Sequence, residues 1–467
     1  MEMHSYDILH RKVNMDQNIK VRRCSRQLIP TLTIYLLGCL VPALTLLTTE
    51  PPLMDGHPFV VLWNAPTNVC KQLEIHLDTS VFHAVTTPAA VPSQFLTLFY
   101  KDRLGLYPHV DPVTKQEYNG GIPQKGDLTA SLMKASDDIA HFMPSDSIPG
   151  LAVIDWEDWR PKWERNWGSK DIYRQLSISY AEEKDPTLPQ NQVIPTAKKQ
   201  FQTAARNYMQ ETMMLGKNIR PSQLWGFYLF PDCYNYGWEK PGYTGTCPVN
   251  TQKLNDQLLW LWESSTALYP SIYLPLSLSD SPNAAYFVQN RIQEAVRVAA
   301  LPQRPYTVPI YVYSRPLYRD QNKQFLSQED LVRSVGESAA LGASGTVMWG
   351  ASADYNGKAE CDTLSTYLTS TLNPYIANVT AAAKLCSDVL CQGNGRCVRK
   401  NYDSTDYLHL NPDNFHILKL KEKYMVVGLP SSADLNFLAD KFTCQCYTGH
   451  TCSDRLSYPS KPIAIQV

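Results

Sequence analysis

Short runs of β-branched and aromatic residues recur along the first three quarters of the chain, and what lies between them limits the folds available to it. The runs are PFVVLWN (58–64), FLTLFY (95–100), GLAVIDWE (150–157), LWGFYLF (224–230), SIYLP (271–275), VPIYVYS (308–314) and GTVMWG (345–350). Between several of them the pattern turns helical. Residues 127–143 start at Asp127, a suitable N-cap, 192–217 are long and mostly polar, and 283–300 space their apolar residues for one helix face. Ser327 and Asp330 resemble a capping box ahead of LVRSVGESAALG. Apolar strands alternating with helices predict an α/β fold whose parallel sheet is buried on both faces. Seven such strands favour a closed barrel. The alternative is an open doubly wound sheet, but no GxGxxG or P-loop turn is present to give it a nucleotide site.

The 467 residues leave room for such a barrel and a small appendage, and 44% hydrophobic residues with 19% charged is an ordinary globular composition. With 43 Lys+Arg against 44 Asp+Glu, the formal charge of −1 offers no general field for nucleic acid, so a polyanionic partner would need a local basic patch. Residues 28–47, LIPTLTIYLLGCLVPALTLL, are uncharged and follow the basic KVRRCSR, which reads as an export signal. Twenty apolar residues would also serve as an uncleaved anchor; the basic flank and short run favour cleavage, after which no membrane attachment is expected.

Two of the twelve cysteines, Cys24 and Cys39, fall in this leader, and the other ten form an even set that reads as disulfides in an exported chain. A metal site is not expected, because no CxxC pair occurs and the histidines do not cluster at ligand spacing. Asn378-Val379-Thr380 is the one N-x-S/T triplet and the glycosylation candidate. From residue 382 onward, CSDVLCQGNGRC and CQCYTGHTC read as a small disulfide-stapled module, and the polar residues between them as an inserted loop. The expected divisions are a leader (1–50), a barrel (51–381), a cysteine-rich module (382–455) and a tail (456–467). The last residues, SDRLSYPSKPIAIQV, carry no apolar lipid-anchor signal.

Chemistry concentrates in GLAVIDWEDWRPKWERNW (150–167). Residues two apart on a strand share a side, so Asp155 and Glu157 should project together from the C-terminal end of a barrel strand, where active sites of such barrels lie, while Trp156 points away. Two neighbouring carboxyls do not both ionise cheaply, and aromatic surroundings add desolvation, so one is expected to keep its proton. A carboxylic acid beside flat aromatic rings suits protonation of a glycosidic oxygen, the rings of Trp156, Trp159, Trp163 and Trp167 suiting the apolar faces of sugars. For an arbitrary sequence, a solvent-facing acidic strand end is the commoner reading of D-x-E, and Arg160, Lys162 and Arg165 would then be ordinary ion-pair partners.

Taken in order, GLAVIDWEDWRPKW, WGFYLFPDCYNY, YTGTCP, ALYPSIYLP and GESAALGASGTVMWG closely resemble the animal hyaluronidase family of glycoside hydrolases, from about Phe59 to Cys452. The layout is similar to that of members without a lipid anchor, secreted or lysosomal. The resemblance implies a distorted (β/α) barrel of TIM type followed by an EGF-like module. It implies that Glu157 is the general acid/base at a β-1,4 bond after N-acetylglucosamine, with the substrate's acetamido oxygen as nucleophile, and that Asp155 orients that group with help from Tyr228. Tyr100, Asp232, Tyr273 and Trp349 would line the groove, with Asn64 and Trp167 as further candidates. Arg160 and Arg291 would meet uronate carboxylates or, equally, form structural ion pairs. The implied disulfides are Cys70–Cys361, Cys233–Cys247, Cys386–Cys397, Cys391–Cys444 and Cys446–Cys452.

The chain departs from the family at WGASADYNG after Trp349 and in the long polar stretch 401–441. The reading is an exported, monomeric endo-hydrolase of hyaluronan that needs no cofactor or metal, with chondroitin as a secondary substrate. Its rivals are a chondroitin-preferring hydrolase and an inactive hyaluronan-binding or adhesion protein.

Overall fold

The computed structural model describes residues 46–467, apart from 322 and 422, so the leader expectation lies almost wholly outside the described residues. Seven strands run parallel around one axis: β1 (Val60–Asn64), β2 (Ala84–Thr86), β3 (Leu96–Tyr100), β4 (Gly150–Asp155), β5 (Gln223–Phe227), β6 (Tyr311–Ser314) and β7 (Gly345–Trp349). They pair in the orders β6-β7-β1-β2 and β3-β4-β5. Residues 268–271 link the two sheets through single bridges, Tyr269 to Tyr228, Leu268 to Ile310 and Ser271 to Tyr313. No ladder joins β2 to β3 among the described residues, which leaves a distorted barrel open on that side.

Two differences from the expected strands have plain causes. Residues 271–275 do not form a ladder: Pro270 and Pro275, which lack an N–H, bracket the run, and the pairing falls on 268–271 instead. Strand β2 has only three residues, too few for a visible alternation.

Side-chain alternation sorts the strands into two cores. Val60, Leu62, Leu96, Leu98, Leu151, Val153, Tyr311, Tyr313 and Val347 fill the barrel, while the residues between them, such as Val61, Phe99, Ile154, Trp225 and Met348, face the surrounding helices. At Gly226 an added Cβ would come within 2.3 Å of the Ala267 carbonyl oxygen, so only glycine lets the bridging segment approach β5.

The outer layer includes α1 (Leu128–Phe142), α2 (Asp171–Lys184), α3 (Gln190–Ile219), α4 (Pro282–Ala299) and α5 (Asn373–Cys391). Asp127 caps α1 by accepting from the Ala130 N–H at 2.9 Å. Ser327 accepts from the Asp330 N–H at 3.1 Å, and the helix it starts passes through a π turn at Val332–Gly336.

The expected boundary at 382 falls inside α5, which carries Cys386 and Cys391 on a continuous helix, so the change of composition there is not a break in the chain's path. Beyond it, β8 (Gly395–Arg399) is followed by a hairpin of β9 (Phe415–Leu420) and β10 (Lys423–Gly428), then α6 (Ser432–Lys441), β11 (Phe442–Cys446) and β12 (Ile463–Gln466). Strand β8 pairs with β11, and β12 pairs with β10. The stretch read as a loop is therefore ordered, and the tail is its third strand. Asp78 anchors the hairpin, accepting from Tyr424 OH at 3.0 Å and pairing with Lys419. Disulfides join Cys70 to Cys361, Cys233 to Cys247, Cys386 to Cys397, Cys391 to Cys444 and Cys446 to Cys452. No helix among the described residues is long and apolar enough to cross a membrane.

Candidate active site

The alternation that fills the barrel also selects which side chains emerge at its C-terminal mouth. On β4, Leu151 and Val153 point inward, so Asp155 is the next inward residue, while Trp156 turns outward and stacks on Tyr107 at 4.7 Å. The same count brings Tyr100, Tyr228 and Trp349 to the mouth from β3, β5 and β7. The Trp349 indole N–H donates to Tyr100 OH at 3.2 Å, and its ring lies 6.0 Å from that of Tyr273 in a near-parallel stack. Tyr228 places its ring 6.2 Å from Tyr273 and 5.0 Å from Tyr313, and its hydroxyl meets Ser271 Oγ at 3.4 Å.

Asp155 Oδ1 is buried among these rings without a hydrogen-bond partner, as is Tyr313 OH. A buried carboxylate oxygen and a phenol left unpaired at the barrel mouth are free to bond to a molecule that enters it. Burial first, and the Glu157 charge second, push the Asp155 carboxyl well above the usual carboxylate range. Burial likewise raises the Tyr228 phenol and pushes Tyr100 up to about 12, so both remain hydrogen-bond donors.

Glu157 lies just past the strand end with 48% of its side chain exposed. Arg160 holds it twice, through Nη2 to Oε2 at 3.2 Å and through Nη1 to its backbone carbonyl at 2.8 Å. Lys170 also donates to that carbonyl and to the Asp158 carbonyl at 3.4 Å. Desolvation, followed by the neighbouring Arg160 charge, brings the Lys170 ammonium down to about 8. Sequence reasoning passed over Lys170; thirteen residues from the acid, it is brought there by the turn ahead of α2, and no local spacing announces it.

The other residues singled out in the sequence divide by burial. Trp156, read as pointing away from the carboxylates, is packed in the core, and so are Trp159 and Trp163: they are 3%, 2% and 9% exposed, and Trp159 donates to the Pro108 carbonyl at 2.8 Å. Trp167 alone is open, at 58%. Asn64 is buried beneath the mouth, donating to Thr86 Oγ1 at 2.8 Å. Asp232 accepts from the Cys233 and Tyr234 N–H groups at 2.7 and 3.1 Å, which fixes its own turn. Arg291 on α4 is buried, donating to Asn235 Oδ1 and the Ser271 carbonyl, both at 2.9 Å, with Asp232 at 3.9 Å. In this conformation Asn64, Asp232 and Arg291 build the walls of the mouth rather than line it, and Arg160 serves Glu157. Arg165, read as a surface partner, is buried and donates to Asn255 Oδ1 at 2.6 Å. Asn378 sits half-buried on α5, accepting from the Leu410 N–H at 3.1 Å. No group of three or more metal-ligating side chains occurs among the described residues.

The hyaluronidase family model matches residues 48–456. Among curated relatives, mouse Hyaluronidase-5 (Mus musculus) is 46% identical over 93% of this chain and 83% of its own length. Human Hyaluronidase PH-20 (Homo sapiens) is 46% identical over 91% and 83%, and Hyaluronidase-1 of Bitis arietans 44% over 86% and 90%. Among solved structures, bee venom hyaluronidase superposes with a TM-score of 0.61 at 30% identity, covering 68% of this chain and 99% of that one. A second structure of it is a complex with a hyaluronic acid tetramer, at the same score and identity and with 98% of that chain covered. The chain belongs to the hyaluronidase family of glycoside hydrolases.

Proposed function

We propose that this protein is an endo-hydrolase of hyaluronan that cleaves the β-1,4 bond after N-acetylglucosamine with retention, and that it accepts chondroitin as a secondary substrate. The observation that carries this reading is the division between an Asp155 whose Oδ1 is buried and unpaired and a half-exposed Glu157 held by Arg160. The bee venom relative bound to a hyaluronic acid tetramer supports the choice of polymer.

Asp155, the more buried member of the pair, has its carboxyl raised well above the usual range by burial and then by the Glu157 charge, so it takes up a proton readily. An acetamido N–H docked on Asp155 Oδ1 stabilises the ionised carboxylate, and the proton passes to Glu157, so substrate binding prepares the acid. Tyr228 donates its hydroxyl to the acetamido group. The acetamido oxygen attacks the anomeric carbon as the glycosidic C–O bond breaks, and Glu157 gives its proton to the departing oxygen. Ionised Asp155 stabilises the positive charge that develops on the cyclised acetamido nitrogen. Glu157, now a carboxylate, takes a proton from water whose oxygen attacks the same carbon; the ring opens and the acetamido group is restored.

Around this core we propose an EGF-like identity for the disulfide-bonded C-terminal region, passage through the secretory pathway to the exterior or the lysosome, a glycan on Asn378, and a monomer. Tyr100, Tyr273, Trp349 and Trp167 are the proposed sugar-contacting rings.

The test is the size distribution of high-molecular-weight hyaluronan, and in parallel of chondroitin, after incubation with the purified chain or with Glu157→Gln. Progressive shortening by the parent, with at least a roughly 1,000-fold slower reaction by the folded variant, is expected. A folded parent that binds hyaluronan and shortens neither polymer would identify a binding protein instead.

A further inference from the structure

Beside the Glu157 turn, four aromatic rings follow one another over the surface: Trp167, Tyr234, Tyr236 and Trp238. Successive centroids are 6.3, 6.2 and 6.0 Å apart and each pair meets edge to face. Three of them alternate along one irregular stretch, with Asn235 between them buried and hydrogen-bonded to the Gly245 and Phe287 carbonyls, which fixes the backbone that presents the rings. Trp167 and Tyr236 are 58% and 48% exposed, and Tyr234 and Trp238 are half-buried. Guanidinium groups accompany the row: Arg165 lies 5.4 Å from the Tyr234 centroid, Arg291 5.5 Å from Tyr236, and Arg319 5.6 Å from Trp238. The first two are buried, whereas Arg319 is exposed at the far end.

A surface row of two exposed and two half-exposed aromatic rings leaves apolar area in water unless something covers it. A row of rings meeting edge to face, with cations beside them, suits a polymer whose units alternate an apolar sugar face with a carboxylate and turn from one unit to the next. The row also has a direction. Arg160, which pairs with Glu157 at 3.2 Å, lies close to Tyr234 in the row, and Trp167 begins the row three residues before Lys170, which donates to the Glu157 carbonyl.

We propose that these four rings extend the groove on the leaving-group side, carrying sugar units beyond the bond that is cut in an alternating uronate and N-acetylhexosamine chain, with Arg319 meeting a uronate carboxylate. This rests on the reading of Glu157 as the acid that protonates the departing oxygen. Long chains would then be gripped on both sides of the cut, and short ones on the Asp155 side alone.

The test uses Tyr236→Ala/Arg319→Ala, both exposed positions whose truncation leaves the barrel core intact. Hyaluronan oligosaccharides of increasing length, labelled at the reducing end, are digested by parent and variant. The variant should raise KM for the longest by about fivefold to tenfold, through loss of one ring and one ion contact. That rise should fall away as the chain is shortened, and the labelled fragments should become shorter. An unchanged cut pattern, or a rise in KM equal at every length, would overturn the proposal. The same pair placed in the Glu157→Gln chain separates this outcome from failure of the catalytic reading. Weaker calorimetric binding of long oligosaccharides supports the row even if the parent proves inactive, and unaltered binding overturns it.

Discussion

On one wall of the barrel mouth, the half-buried Asp155 sits among Tyr100, Tyr228, Tyr273 and Tyr313, with its Oδ1 shielded from water and without a protein partner. On the other, Glu157 keeps about half its side chain in solvent and leans on Arg160, with Lys170 against its carbonyl. The two carboxylates are separated by one residue, yet one is desolvated among aromatic rings and the other stays in contact with solvent and Arg160. A strand end produces this difference without any special backbone: Asp155 is the last residue of the ladder and inherits the inward direction, and Glu157 lies beyond it, where the chain is free to turn toward solvent. Proton donation and substrate positioning are thereby given to chemically similar groups in dissimilar surroundings.

Substitutions on the buried wall should break the comparison most severely. Asp155→Asn is expected to lower kcat on hyaluronan by about 1,000-fold or more, since it removes the charge that faces the developing positive centre. Tyr228→Phe, measured in the same assay, should cost less, roughly 10-fold to 100-fold, because it deletes one hydrogen bond and leaves the ring.

Closure of the barrel is a separate matter from either wall. The Cys70–Cys361 bridge spans 291 residues and ties the region after β1 to that after β7. Replacing both cysteines by alanine should remove roughly 2–5 kcal/mol of stability in denaturant melts, with kcat per folded molecule little changed.

On the exposed wall, Lys170→Met should reduce kcat about 10-fold with KM nearly constant, and Lys170→Arg should restore much of it, if the contact with the Glu157 carbonyl orients the acid.

The smallest effect is thermodynamic. The Asp155 carboxyl titrates higher in the fold than in the unfolded chain, so its protonation stabilises the fold at low pH. That contribution is lost as pH rises from just below 4 through the raised value. Asp155→Asn does not titrate, so its advantage in Tm over the parent should grow from near zero at about pH 4 to about 1–2 °C at about pH 7.

The sequence was most legible where period and type coincide. Runs such as GLAVIDWE declare a strand, and the inward alternation leads directly to Asp155. Burial was the hidden variable elsewhere. Trp159 and Trp167 look equivalent in WEDWRPKWERNW, and only the packing of Tyr107, Pro108 and Phe201 around Trp159 distinguishes a core residue from an exposed face. For Arg291 a uronate contact and a structural ion pair read equally well in sequence, and only the fold shows that it and Asp232 both hydrogen-bond to the turn that follows β5. The polar residues of 401–441 concealed a hairpin, because β9 and β10 present mixed faces and depend on Asp78, far away in sequence, and on the final strand for their partners. Pairing of the cysteines was suggested by family resemblance rather than by spacing.

Division of labour between the two walls is tested most directly with a leaving group that needs no proton. A hyaluronan oligosaccharide carrying a 4-nitrophenyl group at its reducing end should still release nitrophenol in the first turnover of Glu157→Gln at a rate within about 10-fold of the parent, although that variant, which also lacks the base of the second step, loses polymer cleavage by roughly 1,000-fold. Asp155→Asn should lose both reactions. If Glu157→Gln released nitrophenol no faster than Asp155→Asn, or if Asp155→Asn alone were rescued, the roles assigned to the two carboxylates would be contradicted.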